Sequence, residues 1–243
     1  MKCSGSLAFS LLALVAFASA FGQGTTVKGR VGFTAETPAG PGAVKADSLK
    51  QAVVWLTPAD GHQHRFEPPQ QHFRLAQKDK QFTPHLLIVP VGSDIDFPNH
   101  DPFFHNVFSL FDGKRFDLGL YESGSSRAVR FDRPGVSFIF CNIHSQMSAV
   151  VIALDTPYYA ISRGGGEITI PAVPPGRYVL QVWTELAGLD TLKTLAHQIE
   201  VGGPSVDFGV LRVTVSTDSQ LAHRNLFGQD YAAPDPMSSV YSH

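Results

Sequence analysis

The 243-residue sequence has little charge and very little cysteine. Charged residues make up 16% of it, and 19 Lys and Arg against 21 Asp and Glu leave a formal net charge of −2. Without a basic surplus the chain has few groups to neutralise phosphates, which argues against nucleic acid as a partner. Low charge combined with 43% hydrophobic residues also argues against long disorder.

Apolar runs long enough to span a bilayer, about 20 residues, are absent. The longest run, 7–17, follows Lys2 and precedes Ala18-Ser19-Ala20. A basic start, an apolar stretch and small residues before a cut are typical of a secretory signal peptide, whereas a membrane anchor would be longer. We therefore expect cleavage after Ala20 and an exported chain, periplasmic or secreted, with no stable membrane insertion afterwards.

Export makes the scarcity of cysteine informative. Cys3 lies in the signal peptide, so the mature chain holds one cysteine, Cys141, and an intramolecular disulfide is excluded. In an oxidising compartment a single cysteine indicates an intermolecular bridge, a reactive thiol or a metal ligand. A small buried residue with an inert thiol is the remaining alternative.

Helix patterns are also missing, whereas 22 Gly and 17 Pro separate many short strand-like runs. Between 82 and 154 these runs recur at roughly 8–12-residue spacing, which favours a β-sandwich or barrel. The pattern predicts an all-β chain, and it leaves open whether the N-terminal strands pair with the C-terminal unit. The predicted segments are a signal peptide (1–20), N-terminal strands (21–60), a polar loop (61–80), a first β domain (81–155), a second β unit (156–215) and a flexible tail (216–243).

The stretch Cys141–Met147, with the sequence CNIHSQM, follows the apolar run 136–140. It places a thiol, the His144 imidazole and the Met147 thioether at three-residue intervals in a loop between two strands. Upstream, His105 offers a second imidazole at the start of another strand. Cys, two His and Met are the ligands of a mononuclear type 1 copper site, in which a trigonal His₂Cys plane with a weak axial Met suits both oxidation states.

These motifs resemble those of the cupredoxins, and the Cys-x-x-His-x-x-Met loop is most similar to amicyanin. The stretch 82–184 resembles secreted bacterial proteins of the methylamine-utilisation or plastocyanin-like type, in which a cupredoxin domain is combined with a carboxypeptidase regulatory-like segment. The resemblance implies a cupredoxin-like Greek-key β-sandwich for 81–155. It implies a smaller β-sandwich of the transthyretin or carboxypeptidase regulatory-like type for 156–215.

Carried onto this sequence, the resemblance makes His105, Cys141 and His144 the equatorial ligands and Met147 the axial ligand of one copper ion. It makes Asn106 the residue whose side chain ties the two ligand loops together. The implied function is a one-electron carrier, not an enzyme. It would exchange electrons with an unidentified redox partner protein through the edge of His144.

One residue of the loop departs from the family pattern. Amicyanin-type loops have Pro where this sequence has Ser145, so a rigidifying ring is lost close to Met147. Phe103 and Phe104 are candidates for an apolar rim around the site, and core packing is an equal alternative for each.

Other histidines are weaker candidates. His100 is an alternative ligand in a stretch that reads as an exposed turn, and an accessory metal site at His62, His64 and His72 is less expected than three solvated loop residues. No carboxylate belongs to a recognisable acid-base motif. The alternative functions are copper binding or delivery without electron transfer, and an interaction module whose β-sandwich a metal ion staples.

Overall fold

The computed structural model describes residues 24–35, 51–61, 72–110, 113–215 and 224–231. In these ranges the chain is almost entirely β, which confirms the predicted fold class. Its helical elements are the α-helix Leu189–Thr194 and the 3-10 turn Gly164–Gly166. Across the described ranges, no helix has the length and apolar character needed to cross a membrane. The predicted signal peptide lies outside them.

Seventeen strands make up the described chain. In chain order they are β1 (Thr25–Ala35), β2 (Ala52–Pro58), β3 (Phe73–Arg74), β4 (Ala76–Lys78), β5 (Gln81–Thr83), β6 (Leu86–Pro90), β7 (Ser93–Pro98), β8 (His105–Ser109), β9 (Phe116–Tyr121), β10 (Ser126–Phe131), β11 (Gly135–Cys141), β12 (Ser148–Leu154), β13 (Tyr159–Ile161), β14 (Glu167–Val173), β15 (Gly176–Thr184), β16 (His197–Val201) and β17 (Ser205–Val215).

Two sheets enclose the core that carries the predicted ligands. One has the strand order β6-β12-β11-β8-β9 and the other the order β10-β7-β3. Side chains alternate across each strand, so one face of each sheet points inward. We call the apolar cluster between them the inner core; its buried members are Leu75, Phe82, Val89, Ile95, Phe97, Val107, Tyr121, Val129, Phe131, Ile139, Cys141, Met147, Ala149, Val151 and Ala153.

The opposite face of the five-stranded sheet is buried as well. Phe108, Phe140 and Ile152 point to this side, and they belong to one apolar cluster with Leu56 and Trp183 of the β13-β2-β15-β16 sheet. We call this cluster the outer core. The sheet that carries the ligands therefore lies between two cores, which restricts its movement on both sides.

The N-terminal strands pair with the C-terminal unit. β1 lies between β14 and β17 in a three-stranded sheet, antiparallel to the first and parallel to the second. β2 lies between β13 and β15. The segments 21–60 and 156–215 thus contribute strands to the same sheets.

The predicted polar loop 61–80 is wrong for its second half. Residues 62–71 lie outside the described ranges, but β3 pairs with β7, and β4 pairs with β5. Leu75 and Gln77 are fully buried. The Gln77 amide donates to the Phe97 carbonyl and contacts the Tyr121 hydroxyl. Because its amide nitrogen is paired in this way, Gln77 can occupy an inward position, and the polar composition of this stretch did not reveal that it belongs to the sandwich.

The predicted flexible tail 216–243 is described at residues 224–231. Here the Asn225 side-chain oxygen accepts the backbone N–H groups of Phe227 and Gln229, which closes a turn. Leu226 packs against the outer core. This segment is held against the sandwich, in contrast to the loose tail predicted from its composition.

Candidate metal centre

Strand ends bring the predicted ligands together. His105 begins β8, Cys141 ends β11, and His144 and Met147 lie in the loop that leads to β12. β8 and β11 are neighbours in the sheet, with Cys141 opposite Val107. The pairing therefore places the upstream imidazole beside a loop that is 36 residues away in sequence.

The histidine nitrogens surround the thiol closely. Cys141 Sγ lies 3.6 Å from His105 Nδ1 and 3.6 Å from His144 Nδ1. The three donor atoms lie within 4.8 Å of one another, and all three residues are buried. Donors bonded to one transition-metal ion at about 2.0–2.3 Å are separated by about 3.5–4 Å in a trigonal plane. The spacing of the three donors fits one ion between them.

Met147 is fully buried and belongs to the inner core together with Cys141. Two backbone hydrogen bonds hold it in the ligand loop. The Met147 N–H donates to the His144 carbonyl at 3.0 Å, and the Cys141 N–H donates to the Met147 carbonyl at 3.3 Å. The loop is therefore closed on itself by its own main chain, without the proline ring that Ser145 replaces.

Asp101 is a further site residue, and it is not among those predicted from the sequence. Its Oδ2 accepts a hydrogen bond from His105 Nε2 at 2.8 Å, and both side chains are buried. The carboxylate is itself fixed by the backbone N–H groups of Asp79, at 2.6 Å, and Lys80, at 3.0 Å. Because Asp101 engages Nε2, the Nδ1 atom of His105 faces the thiol, the arrangement in which a carboxylate orients a metal-binding imidazole.

The position of Asp101 in the sequence does not reveal its role. Asp101 precedes His105 by four residues in a stretch interpreted as an exposed turn. In the structure His100 is exposed, whereas Asn99 and Asp101 are buried. The Asn99 Oδ1 accepts the Asp101 N–H at 3.0 Å, and its Nδ2 donates to the Phe103 carbonyl at 2.8 Å. The turn is thus packed inward by its own hydrogen bonds.

Burial dominates the protonation of the ligands. It lowers the pKa of His105, which Asp101 offsets only in part, and with the neighbouring His105 it lowers the pKa of His144 to about 4. Burial also raises the pKa of the Cys141 thiol, against the effect of nearby backbone N–H groups. At neutral pH both imidazoles are therefore neutral, and the thiol keeps its proton until a metal ion displaces it.

The pKa of Asp101 is set by opposing effects. Burial alone would raise it, but the hydrogen bonds from His105 and from the Lys80 and Asp79 amides outweigh burial, and the pKa lies below its usual value. The carboxyl is therefore charged at neutral pH. A negative group behind His105 offsets part of the charge that a bound cation would bring.

Asn106 links the two ligand loops through its backbone. Its carbonyl accepts a hydrogen bond from the Asn142 N–H at 2.9 Å, and its own N–H forms a hydrogen bond with the Cys141 thiol. The Asn106 side chain instead donates to Asp117 Oδ1 at 2.6 Å. The resemblance implied a link through the side chain, whereas the structure gives the link to the main chain and uses the side chain to join β8 to β9.

One aromatic ring, that of Phe103, packs against both histidine donors. The Phe103 ring lies 5.3 Å from the His105 ring and 5.5 Å from the His144 ring, measured between centroids. The Lys80 ammonium lies 5.3 Å from the Phe103 centroid. Phe104, next to His105 in the chain, is 55% exposed. Phe103 thus packs on the ligands, and Phe104 points to solvent beside them.

The weaker histidine candidates lie apart from the donor cluster. His100 is exposed, and among the described residues the grouping of His and Cys donors consists of His105, Cys141 and His144. His72 is on the surface, with its Nδ1 3.1 Å from Asp96 Oδ1. His62 and His64 lie outside the described residues.

The comparisons with known proteins find structural likeness and no sequence family. No protein-family model and no curated protein matches the chain. A purple cupredoxin from Nitrosopumilus maritimus is 21% identical with a TM-score of 0.31, covering 34% of this chain and 99% of that one. Amicyanin from Paracoccus versutus is 19% identical with a TM-score of 0.32, covering 35% and 84%. A copper-containing nitrite reductase from Thermus scotoductus SA-01 is 20% identical with a TM-score of 0.34, covering 50% and 28%.

Identities and TM-scores this low carry no argument about function. The case for a metal site rests on the three buried donors around one point and on the carboxylate that orients one of them.

Proposed function

We propose that this chain is an exported one-electron carrier with one copper ion in a type 1 site made by His105, Cys141, His144 and Met147. The observation that carries the proposal is the buried cluster in which Cys141 Sγ lies 3.6 Å from the Nδ1 atoms of His105 and His144. A thiolate with two imidazoles and a weak thioether is the donor set that proteins use for blue copper.

The donor set also argues against a structural zinc site. Such sites are closed by four ligands that are usually Cys or His. Among the described residues, only three Cys and His side chains come together at this site. The fourth candidate ligand, three residues after His144, is the buried thioether of Met147. Cys141 is the single thiol of the described residues, so within them its sulfur has no disulfide partner and is free to bind a metal ion.

Copper, when bound to these residues, supplies one-electron transfer by alternating between its monovalent and divalent states. The chain contributes ligand side chains that are already held in place before the ion changes its oxidation state. Asp101 orients His105, the backbone of Asn106 holds the loop, and one hydrogen bond from the Cys141 N–H to the Met147 carbonyl closes it. Side chains supported in this way would need to move little if the bound ion changed its oxidation state.

The His144 ring forms the edge of the site that lies nearest the surface, and its Nε2 atom is still covered by protein. His144 is 7% exposed, whereas His105, Cys141 and Met147 are fully buried. We assign electron exchange to this edge, on which the Phe103 ring packs, and expect brief encounters with a redox partner protein over less than about 1,200 Å² of total buried area. Four protein ligands would leave a bound ion no position for a substrate, so the proposal is a carrier and not an enzyme.

The decisive experiment is metal analysis with optical and paramagnetic spectra of the mature chain, beginning at residue 21, after copper loading. We expect one copper per chain, intense absorption toward the red end of the spectrum and a narrow copper hyperfine splitting. Cys141→Ser should abolish the colour and leave a folded chain. His100→Ala, which alters a histidine outside the cluster, should leave the spectrum unchanged.

Two outcomes would contradict electron transfer, and a third would contradict the assignment of His105 as a ligand. A pale copper form with weak absorption would favour copper binding or delivery without electron transfer. Zinc retained through purification, with no redox activity, would favour the metal-stapled interaction module. Loss of colour in His100→Ala would show that the upstream ligand is not His105.

A further inference from the structure

The C-terminal segment Arg224–Tyr231 makes two hydrogen bonds to the start of the ligand loop. The Tyr231 hydroxyl donates to the Cys141 carbonyl at 2.8 Å, across 90 residues of sequence. The Leu226 N–H donates to Asn142 Oδ1 at 2.7 Å, across 84 residues. Both contacts fall on the residues that join β11 to the loop, one of them a ligand.

This segment has its own internal structure. Asn225 Oδ1 accepts the N–H groups of Phe227, at 3.0 Å, and Gln229, at 2.9 Å. The Gly228 N–H donates to the Asn225 carbonyl at 2.9 Å, and the Asn225 N–H donates to the Gln229 carbonyl at 2.9 Å. These bonds make a compact turn, so Tyr231 and the Leu226 N–H are presented from a folded element.

The Leu226 side chain anchors this turn. It is partly buried and packs against the outer core, on the side of the five-stranded sheet that the second β unit covers. The hydrogen bonds to the loop are therefore backed by apolar contact, and the anchor lies outside the sandwich that encloses the donors. An element that belongs to neither ligand loop thus braces one of them.

The hydrogen bonding of the loop shows what the segment adds. The Cys141 N–H donates to the Met147 carbonyl, and the Asn142 N–H donates to the Asn106 carbonyl. The Cys141 carbonyl accepts from Tyr231, and the Asn142 side chain accepts from Leu226. Sheet and loop therefore supply the partners of the backbone N–H groups, whereas the C-terminal segment supplies partners for the oxygens.

We propose that Arg224–Tyr231 is a clasp on the metal site, in which Tyr231 is a positioning residue for Cys141. Opening of the loop breaks the hydrogen bond from Tyr231, so this bond keeps the thiol covered and in line with His105 and His144. For its effect on copper the clasp rests on the proposed function. Its effect on the thiol is expected in the metal-free chain as well.

Thiol modification of the metal-free full chain tests the clasp without copper. The probe is a soluble aromatic disulfide that reacts with Cys141 only when the loop opens and exposes the buried sulfur. Tyr231→Phe removes the hydroxyl and little else, and we expect modification to be about fivefold faster, the effect of losing one ordinary hydrogen bond. The matched control is Tyr178→Phe. Tyr178 donates to the Pro174 carbonyl at 3.0 Å in the second β unit, and its loss should leave the rate unchanged.

Copper-loaded protein supplies a readout that general stability would not move. Tyr231→Phe should shift the thiolate absorption band and speed copper transfer to a chelator, and Tyr178→Phe should do neither. The clasp is overturned if Tyr231→Phe reacts as slowly as the wild type, or if both variants react equally fast. Faster thiol reaction in Tyr231→Phe alone, in a chain that takes up no copper, would uphold the clasp and remove the copper assignment.

Discussion

Asp101→Asn tests whether a buried negative charge behind His105 tunes the site. Asp101 Oδ2 lies 2.8 Å from His105 Nε2, and the two side chains are 4% and 0% exposed, so water screens the pair little. A carboxylate partner makes the imidazole a stronger donor, and a stronger donor favours divalent over monovalent copper. Asparagine retains an oxygen that can accept from His105 but removes the charge.

The expected changes in copper affinity and reduction potential follow from the typical effect of losing a hydrogen-bond partner of a metal-binding histidine. Losing a partner of a metal-binding histidine typically lowers metal affinity 10–100-fold, or about 1.4–2.8 kcal/mol. We expect the loss to fall mainly on the divalent state. The reduction potential then rises by about 59 mV for each tenfold difference between the two states, or roughly 60–120 mV. The unfolding free energy should also drop by about 1–2 kcal/mol, because the new amide group faces the Asp79 N–H that the carboxylate accepted.

Separate competition titrations with chelators for monovalent and divalent copper, together with a spectroelectrochemical titration, measure these quantities. Asp96→Asn is the matched control, since Asp96 pairs with the surface residue His72 at 3.1 Å, away from the donor cluster. An unchanged potential in Asp101→Asn would refute the reasoning. An equal loss of affinity in both oxidation states would do the same, since it would show that Asp101 only supports the loop.

Two further predictions concern the axial position and the link between the two units. Met147→Leu should keep the colour and raise the potential, because losing the axial donor favours monovalent copper; complete loss of copper would show that the axial assignment is wrong. The hydrogen bond that the His85 ring donates to the Glu185 carboxylate, opposed by burial, raises the pKa of His85 above 6.5. This pair therefore stabilises the fold fully below pH 6.5, and the stabilisation disappears as the pH rises through the raised value. In denaturant unfolding at acidic pH, the unfolding free energy of the wild type should exceed that of Glu185→Gln by about 0.5 kcal/mol or less, because His85 is 45% exposed. This difference should disappear at alkaline pH. A difference that does not change with pH would contradict the prediction.

The donor cluster could be proposed from sequence because its information is local and chemically specific. Cys141, His144 and Met147 lie within one loop, and His105 begins a strand with the same turn-bounded pattern as its neighbours. Asp101 could not be recognised in this way. Its burial depends on Asn99, Asp79 and Lys80, which come together only when the turn folds inward, and a polar stretch gives no sign of that.

Long-range pairing was equally hidden. The pattern of β1 predicts a strand, but nothing in it identifies β17, about 180 residues later, as the neighbour. The same holds for β3, whose pairing with β7 depends on a partner and on the burial of Leu75. Strand patterns record which face is apolar, whereas the choice of partner is set by how several sheets close around shared cores.

The two cores explain why the second β unit matters to the site. Phe140 points into the outer core and Cys141, the next residue, into the inner core. The strand that ends in the thiol therefore packs on one side against the sandwich that encloses the donors, and on the other side against strands from the N-terminal and C-terminal parts of the chain. His85 adds a link at the edge of this sheet, because its carbonyl accepts the Val150 N–H and its ring contacts Glu185 beyond β15. The second unit and the clasp thus stiffen the same sheet from its outer side.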